Sequence, residues 1–110
     1  MEENHFNDTY KEKDSKSSGL KEEKSILLES INKESAEKAI RMLDEYISQY
    51  PADDEAYTIR GMKYWSLSRR KEAINDYHRA IELNPESRAK SALEIAKSIL
   101  DFYNKDLYNP

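Results

Sequence analysis

Residues 54–87 read DEAYTIRGMKYWSLSRRKEAINDYHRAIELNPES, and two helix patterns are visible in these 34 positions. The first carries Ala56, Tyr57, Gly61, Tyr64 and Leu67; the second carries Ala73, Ile74, Tyr77, Ala80, Ile81 and Leu83. Both follow the three-and-four spacing that gathers side chains on one helix face. Leu67-Ser68-Arg69-Arg70 between them allows only a tight turn, so the two helices must run antiparallel. Pro85 stops the second helix, because it lacks an N–H and its ring crowds the preceding turn. Gly61, Ala73 and Ala80 stand where a bulky side chain would hold the helix axes apart. A glycine inside a helix costs about 0.5–1 kcal/mol relative to alanine, so its presence predicts close backbone approach.

This pattern closely resembles the tetratricopeptide repeat, a 34-residue helix–turn–helix with the signature W-x2-L-G-x2-Y…A-x3-F…P. Tyr57, Gly61, Tyr64, Ala73, Tyr77, Ala80 and Pro85 fall at the signature spacing. Arg60 departs from the family's leucine, and Ser68 stands where the inter-helix turn usually has glycine. A shift by 34 superimposes Ala39 on Ala73, Leu43 on Tyr77, Tyr46 on Ala80 and Pro51 on Pro85, which marks a degenerate repeat over residues 20–53. Its second helix spans about Ala36 to Gln49; its first, about Leu20 to Asn32, has Ile26, Leu27, Leu28 and Ile31 as its apolar face. Residues 88–110 form a capping helix with a stripe of Ala92, Ile95, Ala96, Ile99 and Phe102, Ser87 as its N-cap, and a tail whose Tyr103, Leu107 and Tyr108 tuck back onto the bundle. Residues 1–19 hold only Phe6 and Tyr10 as large apolar groups, too few to offset the entropy of ordering, and are expected to be a disordered tail. The resemblance thus implies an all-α, right-handed solenoid of about five helices: two repeats and a cap.

Composition narrows the function. At 110 residues the chain is one domain at most, and a net charge of −4 with 36% charged residues of both signs lacks the basic stripe of a nucleic-acid binder. Arg69-Arg70-Lys71 is dense but short, and reads as a solvated turn. Without cysteine there is no disulfide framework or thiolate nucleophile. No segment approaches the about 18 apolar residues of a membrane span, and Met1-Glu2-Glu3-Asn4 does not open a signal peptide, so a cytoplasmic home is expected. His78 and Glu82 share a helix face, but no further histidine or cysteine completes the three or four ligands of a zinc site. Asp53-Asp54-Glu55 is the negative charge that a helix N-terminus favours. Neither an enzyme nor a cofactor or metal protein is expected.

Binding is the reading that remains. In tetratricopeptide repeats the first helix of each pair lines a concave groove that takes extended or helical peptides. Carried over position by position, the resemblance implies Glu55, Thr58, Met62, Trp65 and Ser66 in the central repeat. It implies Lys90, Leu93, Lys97 and Leu100 in the capping helix, and Lys21, Lys24 and Leu28 in the first repeat. Leu28, Met62, Trp65, Leu93 and Leu100 would then form an apolar floor among lysines, suited to a protein or peptide with an apolar anchor and some negative charge. The clamp with which some family members grip chaperone carboxylate tails is not reproduced: Lys24, Leu28, Ile59, Lys90 and Glu94 stand at its five positions, and Glu94 reverses a charge. Trp65 is either a groove hot spot or a residue at the edge of the core. A homo-oligomer that covers the groove or a repeat flank with a second copy is the alternative to a peptide-binding scaffold.

Overall fold

The computed structural model describes residues 22–108, with side chains to Tyr103; the expected tail 1–19 lies outside the described residues. Among the described residues there are five helices and no strand: α1 over 22–33, α2 Ala36–Gln49, α3 Asp54–Ser66, α4 Arg70–Leu83 and α5 Ala89–Tyr108. The chain is all-α. It divides after Glu34 into two compact units. In the first, Ile31 of α1 is buried and Leu27 and Leu28 are half-buried, whereas Ile26, expected on the same face, is exposed.

The second unit shows the 34-residue period in its backbone. The Tyr50 N–H donates to the Tyr46 carbonyl at 2.9 Å, and 34 residues on the Asn84 N–H donates to the Ala80 carbonyl at 2.9 Å. The Asp53 N–H donates to Tyr50 at 3.2 Å, and the Ser87 N–H to Asn84 at 2.9 Å. Each turn then hands its last residue to the next helix as a cap. One Asp53 carboxylate oxygen accepts from the Glu55 and Ala56 N–H groups at 3.1 and 3.4 Å, while Ser87 Oγ accepts from the Ala89 N–H at 3.1 Å. These side chains satisfy donors that a helix start leaves open. The other Asp53 oxygen accepts the Tyr46 hydroxyl at 2.7 Å, which fixes the α2–α3 turn. Of the positions matched by the shift, the helical ones, Ala39, Leu43, Tyr46, Ala73, Tyr77 and Ala80, are all buried, while Pro51 and Pro85 in the turns are exposed.

Between α3 and α4 the turn ends α3 with two hydrogen bonds, Ser68 N–H to the Trp65 carbonyl and Arg69 N–H to the Tyr64 carbonyl, both 2.9 Å. This is the Schellman pattern, which wants a left-handed residue just past the helix. Ser68 supplies it at φ 62°, a conformation glycine adopts without cost. The antiparallel pair closes on Gly61. A Cβ there would lie 2.7 Å from Tyr77 Cε1 and 3.2 Å from the Ala73 carbonyl oxygen, so only hydrogen fits. Arg60 faces both neighbouring helices. Its Nε and Nη2 donate to the two Asp76 oxygens at 2.8 and 2.7 Å, and Nη1 to Asp44 at 2.8 Å. Those bonds and the two negative charges hold the guanidinium pKa above its ordinary value, against a desolvation that pulls it down.

The fifth helix corrects an expectation. Its apolar stripe was placed on Ala92, Ile95, Ala96, Ile99 and Phe102, yet Ile95 and Phe102 are 62% and 63% exposed. Ala89, Leu93 and Ala96 are the buried set, with Leu100 half-buried one turn on. Two alanines and two leucines at helical spacing thus make up the packed side of α5, in place of the bulkier stripe. The helix also continues through the expected tail to Tyr108.

Candidate functional site

The implied groove positions fall into two groups. On α3, Met62 is 37% exposed, Ser66 is exposed, and Glu55 and Trp65 are half-buried. On α5, Lys90 and Lys97 are exposed and Leu100 is half-buried. Two assignments do not hold. Thr58 is fully buried: its Oγ1 donates to the Asp54 carbonyl at 3.0 Å and lies 3.2 Å from Ser87 Oγ, which ties α3 to the start of α5. Leu93 is buried as well, in the packed face of α5. Both are core: Thr58 is held in the contact with Ser87, and α5 is turned so that Leu93 faces inward and Ile95 outward. Lys24 and Leu28 are half-buried on α1, in the other unit, and Lys21 lies outside the described residues.

Trp65 sits in the last turn of α3 with the Arg70 guanidinium over its ring at 5.2 Å. The same guanidinium lies 5.9 Å from the ring of Tyr103 on α5. One cation thus joins the ends of three helices through two aromatic faces, within the about 6 Å over which a ring attracts a cation. The sequence hid this contact, since Arg70 sat in a basic run read as a solvated turn and Tyr103 in a tail. A second alternation of cations and rings runs along α3. Arg60 lies over Tyr57 and Tyr64 at 5.5 and 5.8 Å, Arg69 over Tyr64 at 4.9 Å, and Arg79 over Tyr57 at 5.9 Å. Arg69 also donates twice to Glu72 at 3.0 and 2.7 Å, which raises its own pKa and lowers that of Glu72.

His78 is exposed on α4, and its neighbour Arg79 approaches Glu82 at 3.6 Å. Among the described residues, no three His, Asp or Glu side chains gather where a metal ion could be held. No described helix is long and apolar enough to cross a membrane.

Comparison with known proteins agrees with this geometry. The family model of the tetratricopeptide repeat matches residues 54–87, the span from the start of α3 to the cap of α5. No curated protein matches the chain. Among solved structures, the solution NMR structure of the Bacteroides fragilis protein BF1650 is similar, with 42% sequence identity and a TM-score of 0.65. The similarity covers 77% of this chain and 87% of that one. With the 34-residue period, the glycine contact and the family match at one register, the chain belongs to the tetratricopeptide repeat family.

Proposed function

We propose that this protein is a non-catalytic interaction module that holds a peptide or protein segment against the face carrying Met62, Trp65 and Ser66 of α3 and Lys90, Lys97 and Leu100 of α5. Tetratricopeptide repeats in general mediate protein–protein interaction. The observation that carries the reading for this chain is Met62, a large apolar side chain 37% exposed one turn before a half-buried tryptophan. Folding alone does not require an exposed methionine there, and a flexible thioether beside a rigid aromatic suits an adaptable contact. The lysines on α5 favour a segment that carries negative charge as well as an apolar anchor.

The test is affinity capture with the tagged chain from its source cells, comparing wild type, Met62→Glu and His78→Glu. A partner held by wild type and by His78→Glu but weakened about 10-fold or more in Met62→Glu supports the reading. Equal capture by Met62→Glu, with unchanged helical content, contradicts it.

A further inference from the structure

We propose that Arg70, whose guanidinium lies over the rings of Trp65 and Tyr103, is a receptor for a carboxylate on an amphipathic segment of a partner protein, and that the neighbouring apolar residues of that segment rest on Ile95 and Phe102. The inference rests on the reading of the chain as a protein-binding module, uses a different side of α5 from Lys90 and Lys97, and names the chemistry of the partner. Three other arginines of the α3–α4 region already have carboxylates: Arg60 has Asp44 and Asp76, Arg69 has Glu72 and Arg79 has Glu82. Arg70 lies over two rings and has no carboxylate among the described residues. Attraction to an aromatic ring does not consume the N–H donors of a guanidinium, whose fork matches a carboxylate. Two rings also hold the side chain in place before a ligand arrives, so little freedom is lost on binding.

Beside this cation lies an uncovered apolar strip. Tyr103 is 53% exposed, and its ring meets Phe102 edge-on at 6.0 Å between centroids. Ile95 stands two turns earlier on α5, as exposed as Phe102. A strip of this kind beside a cation with no carboxylate among the described residues is complementary to a helix whose apolar face ends in Asp or Glu. In a chain of net charge −4, a single stacked arginine fits one carboxylate rather than a polyanion.

Trp65 is the chain's one tryptophan, so its emission reports directly on the stack. The full chain is titrated with a synthetic, end-capped helical peptide that carries leucines at helical spacing and a glutamate one turn beyond. The same peptide with glutamine serves as its pair. The expected result is a saturable change in Trp65 emission, with the glutamate peptide binding about 10-fold tighter at low salt. Arg70→Gln removes that preference to within about 2-fold, and Phe102→Ala weakens both peptides alike, with circular dichroism unchanged. Equal binding of the two peptides, a preference that survives Arg70→Gln, or no response of Trp65 overturns the proposal. An emission change with protein concentration alone also overturns it, in favour of a second copy on the strip. Partner capture lost in Met62→Glu but kept in Arg70→Gln leaves the interaction reading standing and overturns this one.

Discussion

A guanidinium at position 60 gives up hydration that a leucine would not, and the chain recovers it from two carboxylates on two other helices. Asp76 is only 5% exposed, so without Arg60 it would be a buried, unpaired charge. Arg60→Leu therefore restores the family's residue and should still destabilise the fold by about 2–4 kcal/mol, read from urea unfolding. Arg60→Leu with Asp76→Leu should recover most of that loss, because an apolar pair of similar volume carries no stranded charge. Ser68 gives the opposite sign. Its left-handed φ of 62° costs a side chain what it does not cost glycine, so Ser68→Gly should stabilise by about 0.5–1 kcal/mol, seen as a raised Tm. An unchanged or lowered Tm would show that the Schellman turn tolerates serine without strain.

At the scale of elements, residues that report on local geometry were legible and residues that report on helix rotation were not. Gly61, Ala73, Tyr77 and Pro85 each answer to a single constraint, and the α3–α4 hairpin follows from them. The fifth helix has apolar residues at Ala92, Leu93, Ile95, Ala96, Ile99 and Leu100, enough for two overlapping stripes about a residue apart. Periodicity cannot choose between such stripes. The choice is made by tertiary packing, which buries Ala89, Leu93 and Ala96. Leu93→Ala should accordingly cost about 2–4 kcal/mol, whereas Ile95→Ala, on a side chain 62% exposed, should stay within about 0.5 kcal/mol. Equal losses in the two variants would return the helix to the rotation read from sequence. The candidate site suffered the same way. Thr58 and Leu93, groove positions in the family resemblance, are core here, while the meeting of Arg70 with Trp65 and Tyr103 joins three helices and leaves no local pattern in the sequence.

For the molecule as a whole, we propose that a repeat built for packing leaves one face of α3 for a partner, completed by α5. His78 and Arg79 on α4 are exposed polar residues outside the proposed face. Amide chemical-shift mapping of the full chain with its captured partner separates the two faces. Perturbations are expected to concentrate on Met62, Trp65, Ser66, Lys97 and Leu100. Perturbations centred on His78, Arg79 and Glu82, with Met62 and Trp65 unmoved, would contradict it.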